Sequence, residues 1–409
     1  MVVKELIGRE ILDSRGNPTV EAEITLENGI KAIASVPSGA STGSREALEL
    51  RDNDQTRYLG KGVLKAVQNI NTIIKAAIIN KELNQKQLDQ ILIALDGTEN
   101  KSKLGANACL AVSLAFLRAG SVATNQELYE FVSPGKATLP IPMMNIINGG
   151  AHADNQLEIQ EFMIVPIVKS FKERLRAGSE IFFTLKGILK EKGFSTNVGD
   201  EGGFAPQLTT TEEALDLIVQ AITKAGYIPG KNVFIGIDAA ASEFYDATKE
   251  IYTIDKKSFS ADDLIKYYSR IIQKYPIISL EDPFFEDDFE SLAVLTAIFR
   301  DKIMVIGDDH FVTNIKYLNQ AVSMKAGNAI LLKANQVGTI TEMVETIKLA
   351  RKADYKMIIS HRSGETEDTF IADFAVGFNI PYIKTGSLSR GERISKYNRL
   401  LRIEEQLTK

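Results

Sequence analysis

The sequence has very little cysteine. Cys109 is the one cysteine among 409 residues, and it lies in the apolar run NACLAVSLAF. A single cysteine cannot form an internal disulfide or a thiolate metal site, so the chain has neither of these stabilising devices. A free cysteine in an apolar run behaves as a small hydrophobic side chain, and we expect Cys109 to be buried in a protein from a reducing compartment.

The chain also lacks a large charge of one sign and long apolar segments. Its 48 Lys and Arg residues and 53 Asp and Glu residues leave a formal net charge of -5. Nucleic acid is not expected as the main partner, because binding its phosphate backbone requires an excess of basic residues. No segment approaches the roughly 18 to 20 uninterrupted apolar residues that span a bilayer. The opening MVVKELIGRE has charges too early for a signal peptide, so we expect a cytoplasmic protein with no membrane insertion.

The first part of the chain, residues 1–135, predicts a compact α+β domain. The first 60 residues alternate in the manner of strands, and Asn28-Gly29 marks a hairpin between two alternating runs. Apolar spacing of three and four residues then predicts helices between residues 61 and 120. The stretch PSGASTGSREAL, from Pro37, is expected to lead into a helix. It is not a nucleotide-binding P-loop, because Gly43 is followed by Ser44 instead of lysine.

The second part, residues 136–409, has the rhythm of a barrel. Six apolar runs end on polar residues near positions 238, 281, 308, 333, 361 and 384, at the spacing of βα units. Two earlier runs, PIPMMNII and QEFMIVPIV, are too close for a crossover helix and should be antiparallel. We therefore predict an eight-stranded α/β barrel of the ββαα(βα)6 type, with an antiparallel second strand. An open doubly wound sheet is the alternative that the pattern leaves.

The strand ends carry residues suited to catalysis. In a barrel the carboxyl ends of the strands meet at one mouth. Asp238, Glu281 and Asp308 then form an oxygen-only set, which suits Mg²⁺ better than Zn²⁺. Lys333 or Lys384 is a candidate base, because a desolvated lysine can lose its proton. A set of structural salt bridges would explain the same residues without catalysis.

Two further segments offer groups for a substrate. His361, Arg362 and Ser363 follow one strand and could bind a phosphate through a guanidinium, a hydroxyl and an imidazole. In NVGDEGGFAP, glycines on both sides of Glu201 predict a tight loop that directs a carboxyl group into the site.

Nine segments occur in an order that is typical of one enzyme family: SGASTG, NIINGGAHAD, IQEFMI, NVGDEGG, SLEDP, GDD, LLKANQ, SHRSGETED and IKTG. In these segments the sequence resembles the enolase family, from Asp13 to Glu405. The resemblance implies a glycolytic and gluconeogenic lyase that reversibly dehydrates 2-phosphoglycerate to phosphoenolpyruvate. It also implies two Mg²⁺ ions per active site, the second arriving with the substrate.

The resemblance assigns roles to individual residues. Asp238, Glu281 and Asp308 match ligands of the first magnesium, and Ser41 matches a lid residue that reaches the second. Lys333 matches the base that removes the C2 proton, and Glu201 matches the acid that protonates the departing C3 hydroxyl. The remaining matched residues would contact the substrate: Gln160, Glu161, His152, His361, Arg362, Ser363 and Lys384. Of these, Lys384 would contact the carboxylate of the substrate. Glu161 and His152 would also take part in catalysis.

Some implications concern partners and rival functions. Family assemblies are homodimers or rings of dimers, and Arg9 and Glu21 resemble residues that face Glu405 and Arg402 of a neighbouring subunit. Some enolases also bind plasminogen, so Lys409, a terminal lysine, makes plasminogen a candidate partner and the cell surface a second location.

A racemase or a sugar-acid dehydratase of the same superfamily is the nearest rival, because it would share the three carboxylates. The phosphate donors at Arg362 and Ser363 and the lid at Ser41 argue against it. His310 stands where the family often has leucine, and it is expected to be either a packing substitution or an added titrating group.

Overall fold

The chain begins with a three-stranded antiparallel sheet. A computed structural model describes residues 1–39, 43–133 and 135–408 of the protein. The strands of this sheet are β1 (Val3–Leu12), β2 (Pro18–Leu26) and β3 (Lys31–Ser35). The hairpin between β2 and β3 turns at Asn28-Gly29 as predicted, and Gly29 has a φ of +84°, a conformation that glycine adopts without a Cβ clash.

Helices pack against this sheet. They are α1 (Leu64–Asn69), a π-helical turn (Ile70–Ile74), α2 (Lys75–Ile78), α3 (Gln85–Asp96), α4 (Ala106–Ala123) and α5 (Leu128–Phe131). Helix α4 alone among the described helices is long and apolar enough to cross a membrane, but 83% of it is buried inside the fold. It packs on β2 and β3 and is therefore the central core helix of this part of the chain.

The expectation for the segment around residues 36–60 is wrong in two respects. Strand structure stops at Ser35, and no helix follows Gly43: residues 44–46 form a turn and residues 47–54 are neither helix nor strand. The backbone N–H groups of Ala47 and Leu48 donate to the carbonyls of Gln336 and Asn100, which are distant in sequence. These long-range bonds replace the i to i-4 bonds that a helix would need.

The second part of the chain contains all of the barrel strands. Its elements follow the order β4 (Ile141–Asn148), β5 (Glu161–Pro166), α6 (Phe171–Glu191), α7 (Thr211–Lys224), β6 (Val233–Asp238), β7 (Tyr245–Asp246), β8 (Ile251–Ile254), β9 (Lys257–Phe259), α8 (Ala261–Lys274), β10 (Ile277–Glu281), α9 (Phe289–Phe299), β11 (Met304–Gly307), α10 (Ile315–Met324), β12 (Ala329–Leu332), α11 (Ile340–Lys352), β13 (Lys356–Ser360), α12 (Phe370–Gly377), β14 (Tyr382–Lys384) and α13 (Gly391–Leu407). Strands β7 to β9 form a small separate sheet, which accounts for the long sequence interval between Asp238 and Glu281.

The eight remaining strands close into a barrel, which confirms the predicted fold and excludes the open sheet. Their order is β4, β5, β6, β10, β11, β12, β13 and β14, and β14 pairs with β4 to complete the circle. Strand β5 is antiparallel to both of its neighbours, and every other pair is parallel, as the sequence predicts. The interior is filled by apolar side chains, including Met143, Met163, Ile306, Leu331 and Ile358.

Strand register aligns the polar residues at one mouth of the barrel. Asp238 is the register partner of Glu281 on one side and of Glu161 on the other. Glu161 begins β5 whereas Asp238 and Glu281 end their strands. Because β5 runs in the opposite direction, its first residue lies at the same mouth as the last residues of its neighbours.

Burial of Cys109 leads to a testable prediction. The thiol is fully buried on α4, and burial raises its pKa to about 12, because the charged thiolate is poorly solvated there. We expect the native protein at pH 8 to resist thiol alkylation, since both the thiolate fraction and access are small. Mass spectrometry should show one modified site only after unfolding in guanidinium. Stoichiometric labelling of the native chain at pH 8 would contradict the burial of α4.

Candidate active site

A polar pocket lies at the mouth of the barrel, and it brings together the residues that the sequence singled out. Its lining consists of His152, Gln160, Glu161, Glu201, Asp238, Ala240, Asp282, Asp308, Asp309, Lys333, Ser360, His361, Arg362, Ser363 and Lys384. Glu281 is fully buried directly beside this lining. Ser41, the predicted lid residue, lies outside the described residues.

The ammonium group of Lys384 lies among three carboxylates. Its Nζ is 2.8 Å from Asp238 Oδ2, 2.9 Å from Glu281 Oε1 and 3.3 Å from Glu161 Oε1. Burial alone would lower the pKa of Lys384, but the three acidic groups outweigh it and raise that pKa well above its ordinary value. Burial, together with the charge of Asp238, raises the pKa of Glu281. At this point of the mouth, acidic side chains therefore outnumber basic ones, an arrangement that favours binding of a further cation.

Lys333 is held by Asp308. Its Nζ forms an ion pair with Asp308 Oδ2, and Gln336 Nε2 donates to Asp308 Oδ1 over 2.9 Å. Burial lowers the pKa of Lys333, but the Asp308 carboxylate more than offsets this, so the net pKa is raised. In this arrangement Lys333 is an ammonium ion. A role as base requires Asp308 to release it.

Glu161 and Glu201 form a buried acidic pair next to His152. The Nδ1 atom of His152 lies 3.5 Å from Glu161 Oε1 and 3.6 Å from Glu201 Oε1, and Asn145 Nδ2 donates to Glu201 Oε2 over 3.0 Å. Burial lowers the pKa of His152 and so favours its neutral form. Burial, followed by repulsion from Glu201, raises the pKa of Glu161 well above its ordinary value. Burial acts to raise the pKa of Glu201 too, but His361 and His152 outweigh it and lower that pKa well below its ordinary value. Glu161 is therefore the member of the pair that holds a proton.

The Glu201 loop has the tight geometry that its glycines predict. Gly202 has a φ of +85°, and a Cβ atom there would lie 2.6 Å from the carbonyl oxygen of Ser389. The carbonyl oxygen of Glu201 also accepts a hydrogen bond from the backbone N–H of Ser387. Contacts with the loop after β14 thus fix the direction of the Glu201 side chain, which is only 2% exposed.

Arg362 is engaged by a residue from the N-terminal part of the chain. Its Nη1 and Nη2 atoms lie 2.8 and 3.1 Å from the two carboxylate oxygens of Glu46, and Nη1 also donates to Asn335 Oδ1. This bidentate contact has the geometry in which a guanidinium also binds phosphate. Sequence reasoning missed Glu46, because it read that segment as the start of a helix.

Asp282 organises the loop that carries Asp308. Its carboxylate accepts the backbone N–H groups of Asp308 and Asp309 over 2.9 Å each, and it lies 3.0 Å from His310 Nδ1. His310 is fully buried and has Phe289 at 5.7 Å between ring centroids. His310 is therefore a packing residue that also contacts the carboxylate behind the predicted metal ligand. Asp282 was visible in the SLEDP segment but was given no role of its own.

Two sets of acidic or imidazole groups among residues 1–39, 43–133 and 135–408 bring their ligand atoms within 4.8 Å of one another: His152, Glu161 and Glu201, and Asp282, Asp308 and Asp309. The predicted metal ligands Asp238, Glu281 and Asp308 do not form such a set. Instead, Lys384 contacts Asp238 and Glu281, and Lys333 contacts Asp308.

Two family comparisons cover almost the whole chain. The enolase N-terminal domain matches residues 3–132, and the enolase C-terminal TIM barrel domain matches residues 136–409. The chain belongs to the enolase family. It is therefore a lyase of the enolase superfamily, and its acidic mouth agrees with the metal dependence of that family.

The residues of this enolase family member fit a hard divalent cation. Asp238, Glu281 and Asp308 supply only oxygen atoms, which is the donor type that Mg²⁺ prefers. Their charge is compensated at present by the side chains of Lys384 and Lys333. A cation at the mouth would relieve the same repulsion and leave both lysines available for other partners.

We predict that removing the Lys384 ammonium exposes the charge imbalance. Lys384→Met leaves Asp238 and Glu281 without their shared cation, and should lower the free energy of unfolding by roughly 3 to 5 kcal/mol in chelator. Chemical denaturation with and without Mg²⁺ measures this, and Mg²⁺ should restore more stability to the variant than to the parent. Lys316→Met, which breaks an exposed pair with Glu99, is the matched control and should change nothing measurable. Equal losses in both variants would contradict the account.

Proposed function

We propose that this protein is a glycolytic enolase that reversibly dehydrates 2-phosphoglycerate to phosphoenolpyruvate. The observation that supports it best is that one pocket contains both kinds of group: two lysines, Lys333 and Lys384, and a buried carboxyl pair in which the pKa of Glu161 is raised. The reaction removes a proton from C2 and a hydroxyl from C3, so it needs both a base and an acid.

The first step requires a base and strong positive charge. The C2 proton is adjacent to an ionised carboxylate and is very weakly acidic, because its removal places a second negative charge on that group. We propose Lys333 as the base and Lys384 as the contact for the substrate carboxylate. When bound, two Mg²⁺ ions, the second arriving with substrate, would supply the positive field that stabilises this charge. Asp238, Glu281 and Asp308 would hold the first ion and Ser41 would reach the second.

The second step requires a protonated carboxyl group. Hydroxide is a poor leaving group, so an acid must protonate the C3 oxygen as it departs. Glu201 is proposed as this acid, with Glu161 as the partner that keeps the proton within the pair. His152 lies between them, and Gln160 Nε2 lies 3.4 Å from Asp238 Oδ2 at the same end of the pocket.

The phosphate group is proposed to lie at Arg362 and Ser363, with His361 beside them. The way Arg362 already holds the Glu46 carboxylate with two nitrogens supports this assignment, because phosphate presents a similar pair of oxygens. A racemase or dehydratase acting on substrates without phosphate would have no use for these donors.

An absorbance assay for phosphoenolpyruvate formation tests the proposal. The parent should convert 2-phosphoglycerate only with Mg²⁺ present. Lys333→Ala and Glu201→Gln should each lower kcat by about 10²- to 10⁴-fold, because each removes one proton-transfer group. Lys348→Ala, on the exposed side of α11, should retain full activity. Well-folded parent protein with no Mg²⁺-dependent product would refute the function.

Assembly and location are further proposals. A homodimer or a ring of dimers is proposed on family resemblance, and light scattering of the full chain would measure it. Within the chain itself Arg9 lies 3.4 Å from Glu21 and 2.6 Å from Glu23, while Arg402 and Glu405 are exposed on α13. The low cysteine content supports a cytoplasmic location.

Plasminogen binding is proposed as an addition to catalysis, at the cell surface. It depends on the terminal lysine, Lys409, which lies outside the described residues. Deletion of Lys409 should abolish capture of the protein by immobilised plasminogen and leave phosphoenolpyruvate formation unchanged. Undiminished capture by the shortened chain would rule out this residue as the contact.

A further inference from the structure

Arg393 is a fully buried arginine that reaches the site from behind. It lies in the first turn of α13, and its side chain has no exposed surface. Gly386 makes this approach possible: a Cβ atom there would lie 2.8 Å from Arg393 Cδ and 2.9 Å from the Glu201 carbonyl oxygen. Arg393 does not line the pocket, so any influence on the reaction passes through its neighbours.

The guanidinium of Arg393 joins two loops of the site. Its Nη1 donates to the carbonyl of Arg362 and its Nη2 donates to the carbonyl of Ser363, each over 2.6 Å. The same Nη2 donates to the carbonyl of Asp200 over 3.3 Å, one residue before Glu201. One side chain thus fixes the proposed phosphate-binding loop and the proposed acid relative to each other.

The contact with His361 has a specific chemical consequence. Arg393 Nη1 lies 2.7 Å from His361 Nδ1. A guanidinium carries donors only, so His361 Nδ1 must accept and cannot carry a proton. A neutral imidazole then has its proton on Nε2, and this atom lies 3.3 Å from Glu201 Oε2.

We propose that Arg393 is a positioning residue that fixes His361 as the Nε2–H tautomer, so that His361 donates to Glu201 and orients its carboxyl group. The catalytic part of this inference rests on the proposed function, in which Glu201 is the acid. The tautomer itself does not depend on that function.

Neutral His361 agrees with its surroundings. Burial lowers the pKa of His361 to about 4, and although Glu201 acts to raise it, the nearby charge of Arg393 acts to lower it further. The ring is therefore uncharged at neutral pH. A hydrogen bond from His361 Nε2 favours the ionised form of Glu201 and, with burial opposing it, lowers the pKa of that carboxyl group, so the role of His361 is to orient Glu201 while Glu161 holds the proton of the pair.

Nuclear magnetic resonance of the full chain tests the tautomer directly. The protein has three histidines, so ¹⁵N-histidine labelling gives three rings, and His152→Gln and His310→Gln assign them by difference. In Mg²⁺-containing buffer at neutral pH, His361 should show a protonated Nε2 and an unprotonated Nδ1. A protonated Nδ1, or an imidazolium, would overturn the proposal without any Arg393 variant.

Variants of Arg393 then test the cause. Arg393→Met should convert His361 to a mixture of tautomers and lower kcat about tenfold or more, with a smaller effect on KM. Arg393→Lys keeps a positively charged group that can only donate, and it should restore the tautomer and part of kcat. The matched control is Arg390→Met, because Arg390 immediately precedes the same helix but donates to Glu392 and the Ser14 carbonyl. It should leave the His361 spectrum unchanged.

The possible outcomes separate the inference from the function. An unchanged Nε2–H signature in folded Arg393→Met would overturn the role of Arg393. If that variant does not fold, as circular dichroism would show, the parent spectrum and Arg393→Lys decide. A parent with the expected tautomer but no turnover of 2-phosphoglycerate would refute the proposed function and leave the tautomer assignment intact.

Discussion

The contacts at the barrel mouth depend on one electrostatic constraint, which is the excess of buried carboxylates over buried cations. The single ammonium of Lys384 is shared by Asp238, Glu161 and Glu281, and Lys333 forms an ion pair with Asp308. Such charges are costly inside a protein unless each has a partner. The lysines meet this need now, but they are also the groups that the reaction would use. A cation bound at the carboxylates would take over this charge compensation, and the two lysines would then be available for the reaction.

The reversed strand β5 gives the mouth its second acidic face. If all eight strands were parallel, residue 161 would begin its strand at the opposite end of the barrel. Because β5 is antiparallel, Glu161 lies at the register position of Asp238 and next to Glu201. The topology thus places the Glu161 and Glu201 pair beside the proposed metal ligands Asp238 and Glu281.

Sequence periodicity predicted the parts of the structure that local patterns encode. The barrel strands, the antiparallel pair and the residues at strand ends such as Asp238, Glu281 and Lys384 follow from spacing and from the geometry of a closed sheet. The turn at residues 44–46, the Glu46 contact and Arg393 could not be found in this way. Each depends on partners far away in the chain, and an isolated GSREAL segment carries a helical pattern that its tertiary hydrogen bonds override.

The N-terminal part of the chain contributes a side chain, Glu46, that contacts residues of the pocket directly. Glu46 holds Arg362 with both carboxylate oxygens, and Gln336, which donates to Asp308, also donates to Glu46 over 3.3 Å. A continuous path of hydrogen bonds therefore runs from the proposed metal ligand through Gln336 and Glu46 to the proposed phosphate contact. Glu46 presents to Arg362 the same type of oxygen pair that a phosphate would present. A phosphate at this guanidinium would therefore compete with Glu46 for the same two nitrogens, and displacement of Glu46 would remove its hydrogen bond with Gln336, the residue that also donates to Asp308.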